Sequence, residues 1–257
     1  MKGDLYQISC LVAACKKALQ ENAPIRYTPL KHEGNISFCM LPQKRFFGKK
    51  KRTAQNVETW FEWLKDRGLQ DVKLLCPVFG NDPNLLAFAN TTKICLVCFF
   101  RNRSVTFFTP FWQVDSAQKE WKIEYSEYEW SEPPSEKPCF ENNSDAFRRI
   151  LREIRTFALQ IEEQYFADTF EHVLQILDGS DDYPDPKHGL TLPQLPAEHL
   201  RIFEAASLSD VFGGMGWWND SPAWIAKQKG LEQEYNRLSG ELLKNMYLSV
   251  LYAVNEW

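Results

Sequence analysis

Two adjoining stretches carry the change of pattern that decides the fold: Trp121-Lys122-Ile123-Glu124-Tyr125-Ser126-Glu127-Tyr128-Glu129-Trp130 and Ser131-Glu132-Pro133-Pro134-Ser135-Glu136-Lys137-Pro138. In the first, Trp121, Ile123 and Tyr125 fall on one face and Lys122, Glu124 and Ser126 on the other, the period of two that belongs to a strand. The prolines of the second cannot donate a backbone hydrogen bond and extend neither strand nor helix. Beyond them the periodicity changes to a long helical pattern through Phe147, Ile150, Leu151, Ile154, Phe157, Ile161, Phe166, Phe170, Val173, Leu174 and Leu177. That stripe belongs to an amphipathic helix, capped by Ser144 and ended by Gly179. Strands followed by helices predict an α+β fold: an N-terminal helix plus antiparallel sheet, then a C-terminal helical region. The expected division is residues 1–132, a proline-rich linker at 133–143, and a helical region at 144–257.

Working outward, Leu5, Ile8, Leu11, Val12, Cys15 and Leu19 predict a helix over 4–21, with Gln7, Lys16, Lys17 and Gln20 on its opposite face. The runs Ile25 to Leu30 and Ile36 to Leu41 flank the turn-forming His32-Glu33-Gly34-Asn35 and predict a hairpin. Val57, Trp60, Phe61 and Leu64 predict a helix over 53–67, capped by Thr53 or Asn56. Extended runs over 72–79, 94–100, 105–112 and 121–130 complete the sheet. After a proline-rich linker over 181–196, helix resumes near 197–206. It restarts where Ser221 and Pro222 match an N-cap followed by proline, and it ends in the periodic segment 231–254.

Composition narrows the class. A hydrophobic content of 44% in 257 residues is enough to fill a core. No apolar run reaches the roughly 18 residues that a membrane span needs, so the expectation is a soluble, cytoplasmic protein without membrane contact. Seven cysteines at irregular spacing predict buried, reduced thiols. Residues 1–135 hold 19 Lys and Arg against 14 Asp and Glu, and residues 136–257 hold 11 against 20, so the two parts carry +5 and −9. Opposite signs suit mutual attraction better than nucleic-acid binding.

The best candidate site is Asp210-Val211-Phe212-Gly213-Gly214-Met215-Gly216-Trp217-Trp218-Asn219-Asp220. Backbone N–H groups around Gly213, Gly214 and Gly216 are able to form an anion-binding nest, with Trp217 and Trp218 as its wall and Asp210, Asn219 and Asp220 as polar contacts. The spacing matches neither the P-loop nor the dinucleotide fingerprint, and ordinary capping with close helix packing is the plainer reading. Cys95-Leu96-Val97-Cys98 lies in an apolar strand, where residues three apart face opposite ways, so it does not predict a metal or redox pair. The run Arg45-Phe46-Phe47-Gly48-Lys49-Lys50-Lys51-Arg52 has the composition to hold phosphates, but a solvated turn is its commoner meaning. Glu127 and Glu129 share a strand face, and Asp178, Asp181, Asp182 and Asp185 precede His188 without the spacing of a calcium loop. His32, His172 and His199 complete the short supply of general bases.

The stretch Phe212-Gly213-Gly214-Met215-Gly216-Trp217-Trp218-Asn219-Asp220 resembles an FGGMGS-aromatic-ND pattern near the C-terminus of small bacterial proteins in families labelled as domains of unknown function. The match spans nine residues, and Trp217 stands where the pattern has serine. The resemblance implies a bacterial source and a shared structural element, and it carries no activity with it.

The expected function is non-catalytic binding of a protein partner, with an immunity-like or accessory role as one version, and with no cofactor or metal. Nucleic acid is disfavoured as a partner, and the sequence does not fix the oligomeric state. The alternative is an enzyme acting on a small anionic substrate between the two regions, with Asp210 or Asp220 and His188 or Glu127 as acid and base.

Overall fold

The computed structural model describes residues 1, 3–31, 33–42, 52–78, 94–115, 120–180, 191–213 and 215–257, and in it the two periods become two kinds of structure. Among the described residues the elements are α1 (Gly3–Gln20), β1 (Glu33–Met40), β2 (Arg52–Ala54), α2 (Val57–Asp66), β3 (Leu69–Leu75), β4 (Cys95–Phe100), β5 (Val105–Asp115), β6 (Glu120–Glu129), α3 (Ser144–Gln160), α4 (Gln164–Asp178), α5 (Ala197–Leu208), α6 (Ser221–Gln228) and α7 (Glu232–Asn255). The strands form one sheet in the order β2-β1-β6-β5-β4-β3. The fold is α+β.

Alternation assigns the two sheet faces. Phe38, Phe108, Ile123 and Tyr125 point inward and are buried beneath α1 and α2. Trp60 of α2 stacks on Phe38 at 4.3 Å and meets Phe108 edge-on at 5.5 Å, while the Tyr125 hydroxyl donates to Gln7 of α1. On the outer face Phe107 stacks on Tyr128 at 5.4 Å and Phe111 is exposed. Edge strand β3 would leave backbone groups bare. There the amide of Asn255 accepts from Leu74 N at 2.8 Å and donates to Leu74 O at 2.9 Å, as a neighbouring strand would. Lys73 adds an ion pair to Glu256 at 2.7 Å, so the end of α7 is clamped onto the sheet. One hydrophobic cluster contains residues from 1–132 and from 144–257 alike.

Several expectations are corrected. The 25–30 run is not a strand. It lies between Pro24 and Leu30, and its Arg26 and Pro29 carbonyls accept from the side chains of Gln194 and Thr191. β1 instead pairs antiparallel with β2 and parallel with β6, so the sheet is mostly but not wholly antiparallel. A period of two fixes the face a residue takes and says nothing of the neighbour's direction. The helix expected over 53–67 begins only at Val57, because Arg52–Ala54 is drawn into the sheet; Asn56 caps it by accepting from Thr59 N at 2.8 Å.

The single stripe over 144–177 is two helices. The chain turns at Glu162 with φ at 65°, and α4 returns antiparallel to α3, tied by Arg155 to Glu171 and Arg148 to Asp178, both at 2.8 Å. Asn142, not Ser144, supplies the polar contact at the start of α3, accepting from Ser144 N at 2.9 Å. Helix α6 begins at Ser221 with Asp220 in the cap position, one residue earlier than Ser221 and Pro222 suggest.

The polar face of α1 is not a solvent face. Thirteen of its 18 residues are buried, because the helix runs between the sheet and the helical region. Gln7 bridges Tyr125 and Tyr27, and Lys16 donates to Asn255 O at 2.9 Å. Tyr6 donates to the buried carboxylate of Glu204 on α5 at 3.3 Å. Burial raises the Glu204 carboxyl to about 7, against the smaller opposing pulls of the Tyr6 hydrogen bond and the Met1 α-amino group. The sign follows from linkage: the folded state holds a proton that the unfolded state releases near pH 4.5, so this group lowers stability as pH rises from 4.5 to about 7. The size is on the order of 3 kcal/mol. Glu204→Gln is expected to flatten the fall in unfolding free energy across that window, measured by urea denaturation at pH 5 and pH 8. An unchanged slope would show that Glu204 ionises normally.

Candidate functional site

The Asp210 to Asp220 loop joins α5 to α6, and its shape comes from its own side chains. Val211 O accepts from Trp218 N at 3.0 Å, closing the loop at its base. The Asn219 amide accepts from Gly213 N at 2.8 Å and donates to Gly213 O at 2.7 Å, and the Asp220 carboxylate accepts from Gly216 N at 2.7 Å. Glycine is required at two of these places for different reasons. A Cβ on Gly213 would lie 2.7 Å from the Trp217 ring, and Gly216 has φ at 81°, where other residues are strained.

This geometry decides what the expected site residues do. The Gly213 and Gly216 N–H groups already have partners within the chain, so the expected nest has little left to offer an anion; Gly214 lies outside the described residues. Asp220 stands at the cap position of α6 but closes the loop rather than capping the helix. Asp210 is engaged elsewhere, 3.4 Å from the α-amino group of Met1 and accepting from Phe212 N at 3.4 Å.

The two tryptophans have opposite roles. Trp218 is fully buried, its indole donates to Ser239 Oγ at 2.8 Å, and its carbonyl accepts from the Tyr235 hydroxyl at 2.9 Å. Tyr235 stacks on it at 5.6 Å, and Phe166 and Phe170 meet it edge-on at 5.2 and 5.4 Å. It is the anchor of the loop. Trp217 is 46% exposed and Met215 93% exposed.

Three further side chains join them. Trp224 on α6 is 65% exposed, Tyr165 at the start of α4 is 73% exposed, and Leu159 near the end of α3 is exposed. The segments that carry them are packed together. Tyr165 contacts Phe166 at 5.2 Å, Phe166 contacts Trp218, and Lys229 just past α6 reaches Gln160 O and Glu162 in the α3–α4 turn. Leu159, Tyr165, Met215, Trp217 and Trp224 are thus exposed on the segments that meet at Trp218 and at the α3–α4 turn. The sequence did carry a signal for Trp224: Pro222 and Ala226, four apart, are the buried side of α6, and Trp224 lies across the helix from them.

The other candidates have structural partners. Glu127 is buried, with Arg67 Nη1 at 2.7 Å, Thr106 Oγ1 at 2.8 Å and Leu41 N at 2.9 Å around its carboxylate, while Glu129 on the same strand is exposed. Cys95 and Cys98 are both buried in β4, and burial pushes the Cys98 thiol up, which keeps it protonated and unreactive. His199 stacks on Tyr252 at 5.1 Å with Nδ1 3.2 Å from Ala253 O, and burial lowers its pKa. His172 lies on α4. Asp178 is paired with Arg148; Asp181, Asp182, Asp185, His188 and His32 lie outside the described residues. So does the basic run as far as Lys51, while the Arg52 guanidinium covers the Trp63 ring at 3.5 Å.

Among the described residues no group of three or more His, Cys, Asp or Glu side chains is placed to hold a metal ion, and no helix is long and apolar enough to cross a membrane. Two surface cavities lie away from the loop, one beside Lys17 and Arg26 and the other beside Lys16 and Asp71. Comparison with protein-family models, with curated proteins and with solved structures finds no match to this chain.

Proposed function

We propose that the protein is a non-catalytic protein-interaction module whose recognition surface is the corner formed by Leu159, Tyr165, Met215, Trp217 and Trp224. The observation that carries this reading is the exposure of large apolar side chains on a loop fixed by its own hydrogen bonds and on the helices that pack beside it. Three aromatic rings and a methionine lose apolar area to water, and clusters of that kind mark interaction sites on soluble proteins. Tryptophan, tyrosine and methionine are also the side chains enriched at interface centres. The loop hydrogen bonds of Asn219 and Asp220 and the anchor at Trp218 hold Trp217 in place before any partner arrives, which reduces the entropy lost on binding.

The enzyme alternative receives less support, since the buried Glu127 carboxylate is held by Arg67, Thr106 and Leu41, Asp210 is paired with the Met1 α-amino group, and Asp220 uses one oxygen to close its own loop. The reading is tested by placing a photo-crosslinking side chain at Met215, or at the exposed Arg103 of the distant β4–β5 turn, and comparing adducts in cells. A discrete adduct is expected from 215 and not from 103, and it should disappear when Trp217 and Trp224 are both alanine. Equal adduct patterns at the two positions would sink the proposal.

A further inference from the structure

Along the segments that carry these exposed side chains, the charges without an ion-pair partner are mostly acidic. Glu163 and Asp168 flank Tyr165 along the start of α4, Asp220 separates Trp217 from Trp224, and Glu232 opens α7 one turn before Tyr235. Among the described residues none of these four carboxylates has a cationic side chain within 4 Å. The nearby cations are already neutralised in part: Lys229 pairs with Glu162 at 2.7 Å, and Arg237 pairs with Glu234 at 2.8 Å and Glu153 at 3.0 Å. Lys227 on α6 and the exposed Arg152, two turns before Leu159 on α3, are left as opposing charges, two against four. The rim therefore keeps a negative balance, in line with the −9 carried by residues 136–257 as a whole.

We infer that this corner receives a basic amphipathic segment of a protein partner, whose apolar side chains cover Trp217, Trp224 and Tyr165 while its lysines or arginines meet Glu163, Asp168, Asp220 and Glu232. The inference rests on the interaction-module reading and adds the chemistry of the partner. An aromatic centre supplies the area removed from water, and the acidic rim selects partners and speeds encounter. Exposed rim charges contribute little each to affinity but act together at low salt. An acidic segment would place like charges opposite one another and be rejected.

The test uses two fluorescently labelled, helix-forming peptides of about 18 residues, enough for five turns. One is built from leucine and lysine, and its twin has glutamate in place of every lysine. Affinity for the full chain is read by anisotropy at low and high salt. The leucine–lysine peptide is expected to bind at least about tenfold more tightly at low salt, with most of that margin lost at high salt. Trp217→Ala with Trp224→Ala, both exposed and with the Trp218 anchor intact, should weaken it by a further tenfold or more. Glu163→Lys with Asp168→Lys should reverse the preference while the far-ultraviolet circular dichroism stays unchanged. Equal binding of the two peptides that still depends on the tryptophans would overturn the basic-partner inference and leave the interaction surface standing. Binding of the basic peptide that ignores the tryptophans, or no binding of either peptide, would overturn the inference as well. The fate of the interaction-module reading itself is decided by the crosslinking comparison.

Discussion

Trp218→Ala is expected to lower the unfolding free energy by about 3–5 kcal/mol, the range for removing a fully buried large aromatic side chain. The indole is held from every side, by the Tyr235 stack, the edges of Phe166 and Phe170, and the hydrogen bond to Ser239. Truncation leaves a cavity among rings that belong to α4 and α7, and it also strands the Ser239 hydroxyl. Its neighbour behaves differently. Trp217→Ala removes a half-exposed ring and is expected to cost about 1 kcal/mol or less. Urea denaturation of the two variants beside the parent chain measures the contrast. Similar losses for the two would mean that the loop is not divided into an anchor and a presented surface, and the proposed recognition site would lose its footing.

Glu127→Ala is expected to cost about 3 kcal/mol, because removing the buried member of the pair leaves the Thr106 hydroxyl and Leu41 amide without an acceptor and the partly exposed Arg67 without its counter-charge. Its carboxylate receives the Arg67 guanidinium, the Thr106 hydroxyl and the Leu41 amide, so α2, β5 and the end of β1 all lose a partner together. Glu127→Gln keeps an acceptor and loses the charge, and about 2 kcal/mol is expected there. A double-mutant cycle with Arg67→Ala isolates the pair, and a coupling of about 2 kcal/mol is the expected result. A Glu127→Ala protein as stable as the parent would return this carboxylate to the list of acid–base candidates, since a group tuned for chemistry rather than stability can be removed at little structural cost.

How legible this molecule was depends on the range of the interaction concerned. The helix at 144–160 and the strand at 120–129 show in their own residues, because a stripe of Phe147, Ile150, Leu151 and Ile154, or an alternation of Ile123 and Tyr125, needs only a local period. The break of the long stripe at Glu162 is marked by neither glycine nor proline, only by a slip of phase: five residues separate Ile161 from Phe166, where three or four would have kept one stripe. The turn arises because α3 and α4 gain more by burying their stripes against each other and against Trp218 than one continuous helix would by exposing half of its length. Gln7 and Lys16 were misplaced for a related reason. A polar face on a helix ordinarily seeks water, and only the tyrosines and the α7 terminus brought in from distant sequence make its burial tolerable.

The candidate site divides along the same line. The residues of the Gly213 to Asp220 loop drew notice from the sequence alone, since glycines and tryptophans together demand both backbone freedom and a packing partner. The sequence by itself determined the α+β class, the positions of most elements, and the loop as the place to look. Tertiary structure alone decided that Trp218 turns inward and Trp217 outward, that Asn219 and Asp220 occupy the glycine N–H groups, and that the α3–α4 turn and the end of α6 are brought together through Lys229 and Glu162. The physical reason is that periodicity records how a segment meets its immediate surroundings. Which of two adjacent indoles is buried depends on rings that arrive from residues 157–170 and 235, and nothing in the loop's own sequence encodes their arrival.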